Sequence, residues 1–124
     1  MTAPKATPLI AMDPDAQVRG VGWRLHAPSP SGGKVYSIAV LGELLITAWG
    51  RADHAGRFGA GAQIKTTGCP DHGTALDIAL RRTTEKEKKG YTISIGPSQT
   101  TLTARYHTAP ETIITRILRD GEPL

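Results

Sequence analysis

Two β-rich runs separated by a two-residue connection constrain this fold more than any other feature of the sequence. Lys34–Leu41 and Leu44–Trp49 are rich in β-branched, aromatic and other apolar residues, and only Gly42 and Glu43 lie between them. A two-residue connection that contains glycine is typical of a β-hairpin, because glycine readily adopts the positive φ angles of tight turns. The sequence therefore predicts an antiparallel hairpin here.

Further strands are predicted on both sides of the hairpin, because short apolar and β-branched runs alternate with segments rich in glycine and proline. Their bounds are Val21–His26, Ala62–Thr67, Tyr91–Ile95 and Thr101–Tyr106. Gly96 and Pro97 predict a turn between the last two strands, and residues 53–61 predict a glycine-rich loop. Together with the hairpin, these strands indicate an antiparallel sheet.

One helix is predicted after the fourth strand. Either Asp71 or Thr74 can cap its N-terminus, and Gly90 can end it just after Lys89 by adopting a left-handed conformation. The residues that share one side of this helix are Ala75, Ile78, Ala79 and Arg82.

A second helix is predicted near the end of the sequence. Residues 108–111 form a capping box with proline in the first turn, and apolar residues follow at helical spacing up to Gly121. These apolar residues are Ile113, Ile114, Ile117 and Leu118. The predicted fold class is therefore α+β, an antiparallel sheet with one main packed helix and a C-terminal amphipathic helix.

The 124 residues are enough for one compact domain. Residues 1–20 are predicted to form a flexible arm rich in proline and alanine. Residues 21–95 form the main domain of this interpretation, and residues 96–124 add a C-terminal strand and helix that pack on it.

The composition favours an anionic partner and a cytoplasmic protein. Fifteen Lys and Arg against eleven Asp and Glu give a net charge of +4, and positive potential attracts phosphate-bearing ligands. Cys69 is the single cysteine, so no intrachain disulfide can form and a reducing compartment is expected. The sequence has no apolar run long enough for a signal peptide or a membrane span, so we expect no membrane association.

The second run of the hairpin ends in Trp49, Gly50 and Arg51, a combination suited to binding nucleic acid. The indole can stack on a base or ribose, the glycine lets another backbone come close, and the guanidinium can pair with phosphate. The alternative is that Trp49 covers a small core while Arg51 is solvated. Trp23 shares a strand face with Leu25, so we expect it to lie in the core.

Several separated motifs agree with the order and spacing of one known family. They are Arg24-Leu25 in a first strand, Gly33-Lys34-Val35-Tyr36, Trp49-Gly50-Arg51, Gly56 in a loop, Ala75 in a helix, and Lys86 with Lys89-Gly90-Tyr91 at the helix end. From Trp23 to Tyr91 the chain resembles the WGR domain, a module that accompanies the catalytic region of DNA-damage-activated poly(ADP-ribose) polymerases. The helix ending resembles the short bacterial versions. Asp53 replaces a usual glycine, and Arg57 replaces a common glutamine.

The resemblance implies a WGR-like domain within residues 21–95 that binds DNA ends, nicks or 5′-phosphates without reading sequence. The tryptophan would stack near the terminal nucleotide, and Arg51 would contact either DNA or a protein. The predicted DNA-binding residues are Trp49, Gly50, Arg51, Lys34, Arg57, Lys65, Lys89 and Tyr91. Tyr91 could equally close the edge of the core. The carboxylate of Asp53 would repel phosphate unless Arg51 or Arg57 pairs with it.

No enzyme, cofactor or metal site is predicted. The polymerase activity of the family belongs to a separate catalytic domain. Asp53 and His54 lack a nucleophile motif, and Cys69 with His72 would need two further ligands for a zinc site. The alternative function is a protein-interaction adaptor that uses the same surface or the C-terminal helix.

Overall fold

The computed structural model describes residues 17–30, 32–52, 62–103, 110–120 and 122–123. In chain order the elements are β1 Gln17–Ala27, β2 Lys34–Leu41, β3 Leu44–Arg51, β4 Gln63–Gly68, α1 His72–Lys88, β5 Thr92–Thr103, α2 Pro110–Asp120 and β6 Glu122–Pro123. The strands form one antiparallel sheet in the order β4-β3-β2-β1-β5-β6. The predicted α+β fold is confirmed.

The hairpin predicted from the two β-rich runs is formed by β2 and β3. Leu41 pairs with Leu44 next to the turn, and the register continues to Lys34 opposite Arg51. Gly42 has a φ of 58° in the turn, a conformation that glycine adopts without steric cost. The backbone nitrogen of Gly42 donates a hydrogen bond to Arg19 O in β1.

The first strand begins earlier than the sequence predicts. β1 starts at Gln17, because its first residues pair with both neighbouring strands: Gly20 lies opposite Leu41 of β2, and Gln17 lies opposite Thr103 of β5. The sheet therefore includes the last four residues of the segment 1–20 that was expected to form an arm. Residues 1–16 lie outside the described part of the chain.

The predicted turn at Gly96 and Pro97 was wrong, because β5 continues through both residues as one strand. The peptide bond between them is cis, Gly96 has a φ of 105°, and the register against β1 shifts between Gly22 and Arg24. Partners along β1 thus hold a turn-forming pair as a local irregularity within the strand. The proposed division of the chain between residues 95 and 96 accordingly falls inside a strand.

The helix α1 begins at its predicted position. Of the two candidate caps, Asp71 is the one used, and its Oδ1 accepts a hydrogen bond of 2.6 Å from the backbone nitrogen of Thr74. Lys89 follows the last helical turn, and Gly90 then has a φ of 97°. A left-handed glycine at this place ends the helix.

The two helices pack on opposite faces of the sheet. Because consecutive strand residues point in opposite directions, the strands contribute side chains to both faces. The α1 side contains Val21, Trp23, Leu25, Tyr36, Ile38, Val40, Leu45, Cys69, Ala75 and Ala79. The α2 side contains Val18, Ala39, Leu41, Ile46, Ala48, Leu102, Ile113, Ile114, Ile117 and Leu118. The predicted packing of the C-terminal helix and the core position of Trp23 are both borne out, and the sheet lies between the helices.

Candidate nucleic-acid interface

The end of the β2–β3 hairpin lies beside the C-terminal half of α1. Trp49 is the third residue from the end of β3, where it pairs with Tyr36 on β2 and Gln63 on β4. Its side chain is partly buried and packs against the core on the α1 side, whereas Trp23 is only 3% exposed. The two tryptophans thus differ: one is sealed in the core, and the other reaches the surface.

A first groove of about 690 Å³ runs between α1 and the strands β2, β3 and β4. Its walls combine aromatic and aliphatic side chains with cations. The residues that line it are Tyr36, Thr47, Trp49, Lys65, Ile78, Arg81, Arg82, Glu85, Lys86 and Lys89. We refer to it as the tryptophan groove.

A second groove of about 800 Å³ lies on the other side of the end of α1. The residues that line it are Ala27, Pro28, Ser29, Gly33, Lys34, Arg51, Lys86, Lys89 and Tyr91. Lys86 and Lys89 line both grooves, so the two form one continuous surface. We refer to this second groove as the hairpin groove.

The charges that line the two grooves are mostly of one sign. The cations are Lys34, Arg51, Lys65, Arg81, Arg82, Lys86 and Lys89. Glu85 is the one carboxylate among the lining residues. Because the whole chain has fifteen basic and eleven acidic residues, this surface is far more positive than the composition alone would give. Such a concentration of positive potential favours a polyanion.

Lys86 lies at the junction of the grooves, held between two aromatic rings. Its Nζ is 4.7 Å from the ring centroid of Tyr36 and 5.3 Å from that of Tyr91, within the range of cation–π contacts. Burial lowers the pKa of Lys86, and the nearby charges of Lys89, Lys34 and Arg82 lower it further. An anion bound at this junction would relieve that repulsion.

Tyr36 is a buried residue that also lines the tryptophan groove. Burial raises the pKa of Tyr36, while a side-chain hydrogen bond with Arg82 and the positive charge of that residue act in the opposite direction. Arg82 is exposed and lines the same groove, so this contact leaves its side chain accessible to solvent. Tyr36 therefore serves both the core and the groove.

Two cations face each other at the open end of the hairpin. Lys34 and Arg51 are directly paired across β2 and β3, and both side chains are exposed. Like charges opposite each other weaken a sheet, so this arrangement costs stability unless an anion neutralises it. The pair forms the cationic wall of the hairpin groove.

The structure brings together six of the eight residues predicted to bind DNA. Trp49, Lys65 and Lys89 line the tryptophan groove, and Lys89 also lines the hairpin groove. The others in the hairpin groove are Lys34, Arg51 and Tyr91. Tyr91 is also packed against the core on the α1 side, as expected for a residue that closes the edge of the core, and its contact with phosphate stays a prediction.

Two of the eight predicted residues do not line these grooves. A Cβ at Gly50 would lie 3.0 Å from Ala62 Cα, so the backbone that comes close to this glycine belongs to the chain itself. The small size of Gly50 thus permits packing within the protein, and its contact with DNA stays a prediction. Arg57 lies outside the described residues, as do Asp53 and His54.

Sequence reasoning missed part of the α1 wall. The missed lining residues are Tyr36, Arg81, Arg82, Glu85 and Lys86. Their helical members follow Ile78 at intervals of three and four residues and continue to Lys89, a spacing that places them on one side of α1. That stripe was the signal available in the sequence.

The other chemical possibilities find no support among the described residues. His72 Nδ1 donates a 2.6 Å hydrogen bond to Gly42 O, and Cys69 is buried with its pKa raised by burial. No three His, Cys, Asp or Glu side chains within the described ranges form a group that could hold a metal ion. Neither helix in those ranges has the length and apolar character needed to cross a bilayer.

Comparison of the chain with protein-family models, curated proteins and solved structures gives no match. The interpretation of the two grooves therefore depends on their own geometry and chemistry.

Proposed function

We propose that this protein is a non-enzymatic, WGR-like DNA-binding module that favours DNA ends, nicks or 5′-phosphates. The observation that supports this most directly is a partly exposed indole, Trp49, in a groove continuous with a surface of seven cations and one carboxylate. Aromatic rings and cations in one groove are the combination with which proteins bind the bases and phosphates of nucleic acids.

An end or nick is favoured over continuous duplex because of the position of Trp49. The ring is partly buried between β2, β4 and α1, so a base or ribose must leave the regular stack to contact it. Terminal and nick-flanking nucleotides unstack at a lower energetic cost than internal ones. Contacts to phosphates and to a base face carry no sequence information, so we expect sequence-independent binding.

Lys34, Arg51 and Lys89 are the proposed contacts to phosphate in the hairpin groove. They are exposed and lie on one surface beside Tyr91. Arg51 lies at the end of β3 and lines this groove beside two lysines, so we assign it a contact with phosphate. We also propose that the protein is cytoplasmic and associates with DNA there.

The adaptor alternative is weakened in one of its two forms. The four apolar residues of α2 that could have formed a docking face are buried against the sheet. A protein partner at the basic grooves is the other form, and it is tested together with the DNA proposal.

The experiment is a binding titration with blunt duplex, nicked duplex and closed circular duplex of the same sequence. We expect tighter binding to the first two, and the preference should be reduced in Trp49→Ala. Because Trp49 also contacts the core, Trp49→Leu is tested in parallel; it keeps apolar packing but has no ring to stack. Equal affinity for all three DNAs would refute the end preference, and no binding to any of them at low salt would favour a protein partner.

A further inference from the structure

The tryptophan groove and the hairpin groove differ in chemistry, and this difference bears on what kind of DNA end they accept. The hairpin groove is lined by backbone turns, Tyr91 and exposed cations. The tryptophan groove has cations on both sides, Arg81 on α1 and Lys65 on β4, and Trp49 of β3 also lines it. Cations and an aromatic ring in one groove are typical of single-strand binding channels.

We propose that the tryptophan groove takes a single-stranded DNA tail that continues from the duplex end held at the hairpin groove. This inference rests on the proposed function and specifies its substrate class. Lys86 and Lys89, which line both grooves, would contact the phosphates at the junction where the strand passes from one groove to the other.

The chemistry of the tryptophan groove favours a single strand over a duplex. Its volume of about 690 Å³ can accept a short stretch of one strand. Paired and stacked bases also hide the faces that an indole needs for stacking, whereas the bases of a tail expose them. The phosphates of the tail would lie along Arg81 and Lys65, whose side chains are both exposed.

The position of Lys86 supports a junction contact. Tyr36, from the tryptophan groove, and Tyr91, from the hairpin groove, hold its ammonium group from two sides. This contact fixes a cation at the boundary between the grooves, where a strand that uses both must pass. The same two rings limit the side chain's freedom, so less conformational entropy is lost when a phosphate binds.

The test compares four DNAs that share one duplex sequence: a closed dumbbell without ends, a blunt hairpin, the hairpin with an oligothymidine tail of about four nucleotides, and the same hairpin with an abasic tail of equal length. Tails of both polarities are used. We expect the thymidine tail of at least one polarity to tighten binding about tenfold over the blunt end, and the abasic tail to lose most of that gain.

Variants on the two grooves separate the contributions. Arg81→Ala and Lys65→Ala should reduce the affinity for tailed DNA by a larger factor than the affinity for the blunt end, so that the gain from the tail decreases. Arg51→Ala should weaken blunt and tailed DNA by the same factor. Lys88→Ala is the matched control, because Lys88 is an exposed lysine in the last turn of α1 that lines neither groove.

Fluorescence gives an independent measure of stacking. Trp49 should be quenched by the thymidine tail, and Trp49→Phe should remove that response because Trp23 is 3% exposed and cannot contact the tail. Each variant is first checked by thermal unfolding.

Failure of this inference can be distinguished from failure of the proposed function. Equal affinity for blunt and tailed hairpins, both tighter than the dumbbell, would overturn the single-strand assignment and leave end binding in place. An abasic tail as effective as thymidine would also overturn it, since charge alone would then explain the gain. A dumbbell bound as tightly as the blunt end, with the tail still preferred, would refute end preference and support the groove assignment.

Discussion

The two faces of the sheet are covered by helices that pack in different ways. On the α2 side, large aliphatic residues approach the sheet closely: a Cβ at Gly20 or Gly22 would lie 2.9 Å from atoms of Ile117. On the α1 side, the fully buried helical residues are small, namely Ala75, Ala79 and Thr83. Helix α2 presents a sealed apolar face, and α1 presents long cations around an open groove.

The difference shows how one small sheet can separate stability from binding. Bulky residues on α2 fill the space above glycines in β1, which leaves no room for a ligand. Further along α1, toward its C-terminus, Arg82, Glu85 and Lys86 replace the small residues and line a groove instead of a core. We therefore expect substitutions on the α2 side to affect folding and substitutions near the end of α1 to affect binding.

The largest expected effect is on the α2 side. Ile117 is fully buried against β1, so Ile117→Ala should lower the free energy of unfolding by about 2–5 kcal/mol through lost burial and a residual cavity. Leu80→Ala on α1 is the control, because Leu80 is 48% exposed and should change stability by less than about 1 kcal/mol. Urea denaturation measures both. Similar losses for the two variants would contradict the contrast between the faces.

A smaller effect is expected from a single cation at the groove junction. Lys89→Ala should weaken DNA binding and reduce the slope of log affinity against log salt by about 0.9, the amount expected for one lost phosphate contact. Lys88→Ala is the control, because it removes one positive charge from the preceding residue, which lines neither groove. Titrations at several salt concentrations compare them. An equal change of slope in both variants would mean that net charge, and not groove position, determines affinity.

Removing the acidic group from the tryptophan groove should strengthen binding. Glu85 is the carboxylate that lines this groove, so Glu85→Gln should raise DNA affinity about two- to fivefold at low salt, less at high salt. Glu87→Gln is the matched control, since Glu87 is exposed on the same helix and lines neither groove. A greater gain from Glu87→Gln would place the bound DNA elsewhere.

The smallest expected effect is at the start of α1, far from the groove residues along the helix. The hydrogen bonds from Thr74 lower the pKa of Asp71 below its ordinary value of 3.8. A lowered folded-state pKa means that the carboxylate stabilises the fold above about pH 4, and this contribution is lost as the pH falls through the folded-state value. Asp71→Ala should therefore melt below the wild type at neutral pH and approach it in acid.

Asp71→Asn separates the cap from its charge. The amide oxygen can still accept from the Thr74 backbone, so this variant should retain most of the cap's stabilisation without the added pH dependence. Thermal unfolding between neutral pH and pH 3 provides the measurement. If Asp71→Ala and the wild type showed the same melting temperatures throughout, the cap would contribute nothing measurable.

Local patterns in the sequence were sufficient to predict the hairpin, the helix between Asp71 and Gly90, and the apolar stripe of α2. Each depends on residues close together in the chain: a glycine-containing connection, a cap with its terminator, or side chains at helical spacing. Gly96 and Pro97 show where this reasoning fails. Pairing along β1, a segment distant in sequence, overrides their local preference for a turn.

The sequence by itself determined which residues were available for an anion site: Trp49 at a strand end, and cations in a chain with few aromatics. Only the tertiary structure decided which of them meet. Lys65 and Arg81 belong to different elements, and they line one groove because α1 packs on the face of the sheet from which Lys65 projects. That placement arises from burial of small helical residues against the strands, a long-range packing effect that no local spacing encodes.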